Sequence, residues 1–319
     1  MKIKITDIAT YLPEKVVTND DLSKTLDTSH EWIYTRTGIE SRRISAADEL
    51  TSTLAIEATK RLIKQSNVDP ITIDAIIVST TTGDSRFPSC ACKVQGAIGA
   101  YKAFAFDINA ACAGFIYALA VADSIMKSMK LRKVLLIASE TITKFVDWTD
   151  RATCVLFGDG AGAMLLETTE NDSDGVIATK LYSNGEEEKY NSILQHNGEQ
   201  NGNRGYITMA GRTVFKYAID YMAMSMNEIL NENGMTMDDI DWIIPHQANR
   251  RILESMCKMR DFPIDKVIIT TQHHANTSSA SIPLALRDAL EQGMVKRGDT
   301  LLFTALGAGL TWGSAIVKI

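Results

Sequence analysis

The strongest constraint on the fold is an order of predicted helices and strands that occurs twice along the chain. The first copy consists of a helix at 51–63, a strand at 74–80, a helix after Cys112 and a strand at 133–138. The second copy consists of a helix at 214–231, a strand at 241–246, a helix after Asn276 and a strand at 300–305. The spacing from position 74 to 241 equals the spacing from 133 to 300, and we term it the repeat offset. Two equal offsets with one order of elements indicate an internal duplication.

Strands that alternate with helices are typical of α/β layers. Each half is therefore predicted to form one sheet with helices on its faces, and each ends in a strand flanked by glycines, at 160–167 and 309–318. The polar segment 171–175 is the predicted junction, which divides the chain into halves at 1–172 and 173–319. A second polar segment, 184–204, is predicted to be a surface loop near the substrate entrance.

Composition excludes several classes of protein. Of the 319 residues, 45% are hydrophobic and 23% are charged, which is typical of a globular protein with a large core. A net charge of −6 argues against nucleic-acid binding. The longest apolar run, 110–122, is shorter than the roughly 20 residues of a membrane-spanning helix. The first residues read as a strand rather than a signal peptide, and five irregularly spaced cysteines favour a reducing cytoplasm.

Cys112 is the first candidate functional residue. It follows an apolar run at 101–108, predicted to be a buried strand, and precedes a long apolar helix at about 114–129. Backbone N–H groups in the first turn of a helix favour negative charge, so a thiol there is expected to have a lowered pKa and to act as a nucleophile. The alternative is an unreactive cysteine that fills the core.

Two residues of the second half can join Cys112. His246 ends a predicted strand, and Asn276 precedes a predicted helix and follows Cys112 at close to the repeat offset. All three follow strand ends, where open α/β sheets collect ligands. A thiolate can accept an acyl group, and a histidine and an asparagine can donate hydrogen bonds to an enolate oxygen. The alternatives are a core histidine and a helix-capping asparagine.

Three other patterns have weaker functional interpretations. The segment 158–162 (GDGAG) lacks the spacing of a dinucleotide-binding turn and precedes a strand, so tight backbone packing is the better interpretation. The turn 306–310 (LGAGL) is either an oxyanion hole or a plain hairpin turn. His273 and His274 suggest a metal site, but no second pair with zinc-site spacing accompanies them, so no metal is expected.

Taken together, these motifs resemble the β-ketoacyl-acyl-carrier-protein synthase III family of thiolase-superfamily condensing enzymes. The resemblance covers nearly the whole chain. It is carried by Trp32-Ile33 with Arg36-Thr37-Gly38-Ile39, Ala110-Ala111-Cys112-Ala113-Gly114-Phe115, Phe157-Gly158-Asp159-Gly160-Ala161-Gly162-Ala163, His246-Gln247-Ala248-Asn249, Asn276-Thr277-Ser278 and Thr311-Trp312-Gly313-Ser314-Ala315. It implies a thiolase-like α/β fold in which two duplicated βαβαβαββ halves form five αβαβα layers.

The resemblance also implies roles for individual residues. Cys112 would be the nucleophile, His246 and Asn276 the decarboxylation site, and the N–H groups of Cys112 and Ala308 the oxyanion hole. The implied coenzyme A groove consists of Thr28, Trp32, Arg36, Arg151, Ala152, Gly211, Phe215, Ala248 and Asn249, with an adenine held between Trp32 and Arg36. Phe87 would reach the acyl pocket across a homodimer interface.

The implied reaction is a ping-pong condensation that initiates fatty acid synthesis. Cys112 would take an acyl group from acyl-CoA, and malonyl-acyl carrier protein would then lose CO2 and attack it, with no cofactor. Carrier protein is acidic, so a basic rim is expected, and the candidates are Lys216, Arg250, Arg251, Lys258 and Arg260. Ordinary solvated charges are the alternative for these five.

The sequence departs from the family pattern around the reacting groups. Ala275 and Ala308 stand where glycine is usual, Leu306 and Leu310 where aromatic residues are usual, Ala152 where glycine is common and Asn109 where a small apolar residue is usual. Extra methyl groups are expected to reshape the acyl tunnel, which leaves the acyl preference open.

Three further functions compete with the initiating synthase. The first is a paralogue that uses a non-acetyl starter in a polyketide or other specialised pathway. The second is a non-decarboxylating condensing enzyme similar to HMG-CoA synthase, which needs a carboxylate base where this chain has only Ser79-Thr80-Thr81-Thr82. The third is an inactive binding protein, which the presence of both Cys112 and His246 disfavours.

Overall fold

The computed structural model describes residues 2–170, 174–186, 194–196 and 205–319, apart from the side chain of Arg260. The boundary predicted between 172 and 173 lies outside these residues. Of the predicted loop at 184–204, only 184–186 and 194–196 are described. Within it, 194–196 is a strand paired with 207–209 rather than loop, which corrects that part of the prediction.

The helices and strands follow the predicted order, with small changes of boundary. The strands are β1 (Lys2–Tyr11), β2 (Val16–Thr18), β3 (Ser41–Arg43), β4 (Ala75–Ser79), β5 (Phe104–Ile108), β6 (Lys133–Glu140), β7 (Gly160–Thr169), β8 (Gly175–Ser183), β9 (Leu194–His196), β10 (Ile207–Met209), β11 (Trp242–Pro245), β12 (Thr300–Gly307) and β13 (Thr311–Lys318). The helices are α1 (Asn19–Ser23), α2 (His30–Thr37), α3 (Thr51–Ser66), α4 (Cys90–Ile98), α5 (Gly114–Met129), α6 (Gly211–Glu232), α7 (Arg250–Arg260), α8 (Thr271–His274) and α9 (Ser281–Glu291).

Two strands start later than predicted because turns precede them. Residues 101–103 form a turn that the Ala103 N–H closes on the Ala100 carbonyl, so β5 begins at Phe104. The last strand begins at Thr311 because Gly309 has a φ of +138°, outside the extended conformation of a strand.

The sheet topology repeats in the two halves. The first sheet has the order β1-β7-β6-β4-β5, and the second has the order β8-β13-β12-β11 when read from its first strand. Asp74 and Asp241, which are separated by the repeat offset, precede β4 and β11. Each accepts a hydrogen bond from the first N–H of the neighbouring strand in its sheet, at Lys133 of β6 and Thr300 of β12. A detail repeated at the same offset supports the predicted duplication.

The two sheets and their helices form five layers. One core cluster contains residues of α5 and α9 together with residues of both sheets, so these two helices form the central layer. A second cluster joins α3 and α4 to the outer face of the first sheet, and a third joins α6 and α7 to the outer face of the second. The architecture is therefore the predicted αβαβα arrangement.

One segment, Ala111–Met129, is long and apolar enough to cross a membrane by length and composition alone. In the structure it contains α5, which is packed in the central layer with Phe115 and Leu119 fully buried. The apolar character of this helix is therefore explained by its place in the core.

Candidate active site

A cavity of about 320 Å³ brings the three predicted reacting groups together. Cys112, His246 and Asn276 all line it, and all three are buried. They follow β5, β11 and α8, at the edge of the sheets where the parallel strands end. The convergence predicted from the duplication is present.

Cys112 lies in a short 3-10 turn, Ala111–Ala113, that leads directly into α5. Ala111 has a φ of +47°, which turns the chain sharply between β5 and the helix. Gly307 packs against this turn so closely that a Cβ on it would lie 2.7 Å from the Cys112 nitrogen. The backbone at Cys112 is therefore held between the central helix and the end of β12.

The predicted lowering of the Cys112 pKa is wrong in this structure. Burial raises the pKa of the Cys112 thiol to about 12, and the nearby Glu140 carboxylate raises it further, while the Ser278 hydroxyl acts in the opposite direction. Desolvation disfavours the thiolate more than the turn stabilises it. With a pKa of about 12, the Cys112 side chain is a protonated thiol at neutral pH.

His246 is a neutral imidazole held by a serine. Burial lowers its pKa to about 4, and the Ser278 backbone carbonyl opposes part of this shift. Its Nδ1 lies 2.7 Å from Ser281 Oγ, which also accepts a hydrogen bond from the Gln247 N–H. A neutral imidazole can still donate one hydrogen bond to a substrate oxygen.

Asn276 is fixed through its backbone and its side-chain oxygen. Its N–H donates to the Leu156 carbonyl and its carbonyl accepts from the Gly158 N–H, so it is joined to a segment of the first half. Its Oδ1 accepts a hydrogen bond from the Ser278 N–H at 2.8 Å. The amide Nδ2 is therefore the group left to donate to a substrate.

The residues that correspond in the two halves differ from the predicted correspondence of Cys112 with Asn276. The repeat offset places Asn109, not Cys112, opposite Asn276, and it places Ser279 opposite Cys112. The hydrogen bonds agree, because Asn109 Oδ1 accepts from the Ala111 N–H as Asn276 Oδ1 accepts from the Ser278 N–H. The predicted equivalence of Cys112 and Asn276 was therefore out of register.

A second cavity of about 300 Å³ also borders Cys112. Cys112 and Leu194 line both cavities, and Ala308 and Asn109 line the second. Thr311 Oγ1 donates to the Ala110 and Ala308 carbonyls, which connects the turn at 306–310 to the turn that contains Cys112. Ala275, by contrast, packs in a core cluster with Phe157 and does not line the second cavity. The expectation that its methyl group reshapes the acyl tunnel is therefore not met.

Most of the predicted coenzyme A groove lines the first cavity. The residues found there are Trp32, Arg36, Ala152, Gly211, Phe215, Ala248 and Asn249. The guanidinium of Arg36 lies 4.5 Å from the centre of the Trp32 ring and that of Arg151 lies 5.1 Å from it. These contacts leave no gap between Trp32 and Arg36, so a stacked adenine would have to displace a guanidinium.

Three predicted residues lie outside both cavities. Arg151 pairs with Asp27 beside Trp32, and the buried hydroxyl of Thr28 has no hydrogen-bond partner among the described residues. Phe87 is 84% exposed on the loop before α4 and does not touch the site of its own chain. Its predicted role therefore requires a second copy.

The basic residues predicted to bind a carrier protein lie on two neighbouring helices. Lys216 is exposed on α6, and Arg250, Arg251 and Lys258 are exposed on α7. Arg251 lines the first cavity at its mouth and lies 6.0 Å from the Phe215 ring centre, whereas Arg250 is paired with Glu254. The side chain of Arg260 lies outside the described residues.

Sequence reasoning missed Glu140, the last residue of β6. Its carboxylate is fully buried and accepts hydrogen bonds from the residues after β4 and after Asn276. The available signal was a single acidic residue at the end of an apolar strand, at the same sheet edge as Cys112. His274, which suggested a metal site, instead pairs with Asp288 at 2.7 Å.

Comparison with known proteins identifies the family. Residues 106–185 match the family described as 3-oxoacyl-[acyl-carrier-protein] synthase III, and residues 230–319 match its C-terminal part. The β-ketoacyl-[acyl-carrier-protein] synthases III of Ehrlichia canis and Wolbachia pipientis wMel are 47% and 48% identical to the chain. They align with 99% and 98% of it and with 98% of each relative. The chain belongs to the 3-oxoacyl-[acyl-carrier-protein] synthase III family.

Solved structures agree with this assignment. The 3-oxoacyl-[acyl-carrier-protein] synthase III of Aquifex aeolicus is 45% identical, with a TM-score of 0.93 over 99% of this chain and 100% of that one. A priming β-ketosynthase of the R1128 polyketide pathway is 32% identical, with a TM-score of 0.92 over 99% and 96%. The synthase III chain is thus an acyl-transferring condensing enzyme with the predicted thiolase-like fold.

Proposed function

We propose that this enzyme condenses an acyl-CoA primer with malonyl-acyl carrier protein to give 3-oxoacyl-acyl carrier protein, CoA and CO2, which initiates fatty acid synthesis. The observation that carries the proposal is the position of Cys112 between two cavities. One cavity leads past His246 and Asn276 to a mouth lined by Trp32 and arginines, as a phosphorylated carrier arm requires. The other can hold the acyl group that Cys112 accepts.

The first step is transfer of the acyl group to Cys112. The sulfur attacks the thioester carbonyl of acyl-CoA, and the N–H groups of Cys112 and Ala308 would hold the oxyanion. The C–S bond to CoA then breaks, and CoA leaves as a thiol. Because the resting thiol of Cys112 is protonated, its proton passes to the departing CoA sulfur.

The second step is decarboxylation and carbon–carbon bond formation. Malonyl-acyl carrier protein loses CO2, and the resulting enolate oxygen accepts hydrogen bonds from the His246 ring and the Asn276 amide. The enolate carbon attacks the acyl-Cys112 carbonyl, and the C–S bond breaks. Cys112 takes up one proton and returns to the thiol. His246 serves here as a neutral donor because burial lowers its pKa to about 4.

We further propose that two copies pair through β5, the edge strand of the first sheet. Apolar side chains are exposed along this edge, where Tyr101 is 73% and Phe104 is 38% exposed, and Phe87 lies on the nearby loop. Pairing would cover these side chains and carry Phe87 to the partner's acyl cavity. Five free cysteines support a reducing, cytoplasmic location.

The basic residues of α6 and α7 would meet the acidic carrier protein at the mouth of the first cavity. Arg251 is the strongest candidate because it lines the cavity and has an exposed charge. Arg250 contributes less, since Glu254 already pairs with it. A larger loss with malonyl-carrier protein than with acyl-CoA in an Arg251→Glu variant would support this docking site, whereas equal losses would assign Arg251 to the phosphorylated arm alone.

A second candidate function is priming of a specialised pathway with a non-acetyl acyl group. The similarity to a polyketide priming synthase and the polar Asn109 in the second cavity favour it. The deciding experiment offers acetyl-, branched- and aromatic acyl-CoAs with malonyl-acyl carrier protein. Preference for short acyl groups and rescue of a strain that lacks its initiating synthase support fatty acid initiation, whereas preference for a bulky or aromatic starter supports the alternative.

Acyl transfer itself is tested by intact-mass measurement after incubation with acyl-CoA. We expect one acyl adduct, located on Cys112 by peptide mapping. The absence of any adduct would refute the proposed mechanism and would favour an inactive binding protein.

A further inference from the structure

The carboxylate of Glu140 is enclosed by hydrogen-bond donors from both halves of the chain. Oε1 lies 2.8 Å from Ser279 Oγ and 3.1 Å from Ser278 Oγ, and Oε2 lies 2.7 Å from Thr82 Oγ1. Further donors are Thr80 Oγ1 and the Thr81 N–H. A buried carboxylate with this many donors connects β6 and the end of β4 to the segment after Asn276.

Ser278, one of these donors, contacts all three reacting groups. Its N–H donates to Asn276 Oδ1, and its backbone carbonyl interacts with the His246 ring. Its hydroxyl lowers the pKa of the Cys112 thiol, and Ser278 and Cys112 both line the second cavity. Ser278 also has a φ of +51°, a conformation that residues other than glycine seldom adopt without support. A hydroxyl bonded to a fixed carboxylate provides that support.

We propose that Glu140 is a positioning residue that acts through Ser278 to hold Cys112, His246 and Asn276 in their reactive arrangement. The inference deepens the proposed function and rests on it for the meaning of that arrangement. Glu140 does not touch the substrate, because it is fully buried and lines neither cavity, and its oxygens are already used by donors. It differs in this from the carboxylate base of a non-decarboxylating synthase.

Burial raises the pKa of the Glu140 carboxyl, the hydrogen bonds that it accepts oppose this shift, and its charged form disfavours a thiolate at Cys112. Ser278 can donate its proton either to Glu140 or to a Cys112 thiolate, and the carboxylate competes for it. The ionisable groups near Cys112 in the described chain are Glu140 from β6 and His246 after β11, and the imidazole is neutral. Burial is the main reason that the resting thiol is protonated, and Glu140 adds to this effect through its charge and through its hold on the Ser278 hydroxyl.

The test compares Glu140→Gln with the unaltered enzyme. Glutamine keeps the shape of the Glu140 side chain but removes its negative charge, and it replaces one hydrogen-bond-accepting oxygen with an NH2 donor. We expect the pH midpoint of Cys112 alkylation by iodoacetamide, followed by peptide mass spectrometry, to fall by about 1 unit. Decarboxylation of malonyl-carrier protein should fall about tenfold or more in kcat with little change in KM.

A second variant, Ser278→Ala, moves the same midpoint in the opposite direction. It removes the hydroxyl that stabilises a Cys112 thiolate but keeps the Glu140 charge and the Ser278 backbone contacts. We expect a higher alkylation midpoint together with lower decarboxylation. Because this variant loses only one oxygen atom, it keeps the proposal testable even where Glu140→Gln fails to fold.

The matched control is Asp159→Asn. Asp159 is a buried carboxylate with four hydrogen bonds from Ser45 and Thr143, so its loss should destabilise the fold in a similar way. We expect a lower melting temperature and an unchanged alkylation midpoint. If Glu140→Gln behaves like Asp159→Asn, or if neither site variant shifts the midpoint, the positioning role is wrong.

The outcome is separable from that of the proposed function. An enzyme that accepts no acyl group and releases no CO2 from malonyl-carrier protein would refute the proposed reaction. The alkylation midpoints would still decide whether Glu140 and Ser278 control Cys112.

Discussion

The two halves place corresponding turns at the same cavity, but the two turns carry different side chains. In the first half the turn carries Asn109 and Cys112, and in the second half the same positions carry Asn276 and Ser279. Both turns use an asparagine Oδ1 to hold the N–H two residues on, and both continue through a 3-10 turn into a central helix. In the proposed reaction, one backbone design thus supports a nucleophile in one copy and a decarboxylation site in the other.

The surroundings of the two turns also differ at positions separated by the repeat offset. Glu140 at the end of β6 corresponds to Gly307 at the end of β12, and Ser79 corresponds to His246. Gly307 permits close approach to the Cys112 nitrogen, whereas Glu140 binds Ser279, the counterpart of Cys112. The comparison teaches that the site takes different residues from corresponding positions of the two halves, so neither half contains a complete site.

The largest expected effect is the loss of the nucleophile. Cys112→Ser should abolish the acyl adduct and lower condensation by at least about 10³-fold, because an un-ionised serine hydroxyl is a much weaker nucleophile. Intact mass and product formation measure both. Cys92→Ser removes an exposed cysteine on α4 and should retain the adduct. A persistent adduct on the Cys112→Ser variant would place the acyl group elsewhere.

The next effect separates the two turns. Asn276→Ala or His246→Ala should lower malonyl decarboxylation by about 10²–10³-fold, the usual loss for one preorganised donor, while acylation is better preserved. Asn109→Ala should instead slow acylation by about fivefold, since it loosens only the Cys112 turn. Single-turnover acylation and CO2 release distinguish them. Equal losses in both steps for all three variants would contradict the division of roles.

A smaller effect tests the close approach at the nucleophile turn. Gly307→Ala should destabilise the fold by about 1–3 kcal/mol and reduce acylation, because its Cβ would press on the Cys112 nitrogen. Gly96→Ala is the matched control, because a Cβ at this position in α4 meets nothing within 4 Å. It should leave stability unchanged or slightly raised. Chemical denaturation measures both, and equal stabilities would refute the tight packing.

The smallest effect is the pH dependence of stability due to His246. Its pKa is about 4 in the fold, against an ordinary 6.5, so between these values the unfolded chain binds one more proton. Stability should therefore fall as pH falls through this window, by about 1.4 kcal/mol per pH unit from this residue. Urea unfolding at pH 6.5 and 5 should show a shallower slope for His246→Gln, and identical slopes would argue against a buried neutral imidazole.

The sequence predicted the large features because they depend on local patterns. Apolar strands, helical periodicity and the repeat offset were sufficient for the duplication and for the convergence of Cys112, His246 and Asn276. The roles of Ser278 and Glu140 were not predicted, because their hydrogen bond joins positions 138 residues apart and no local sequence pattern indicates such a contact. The predicted direction of the Cys112 pKa shift was wrong for a related reason, because the burial that raises this pKa comes from packing between the two halves.

The central layer of α5 and α9 has a consequence for the origin of the site. Two separate copies of one unit, packed through these helices, would form an isologous pair in which every substitution occurs twice. Such a pair cannot place a cysteine in one turn and keep a serine at the matching position of the other. Joining the copies in one chain removes that restriction, so the asymmetry of this active site depends on covalent fusion of its halves.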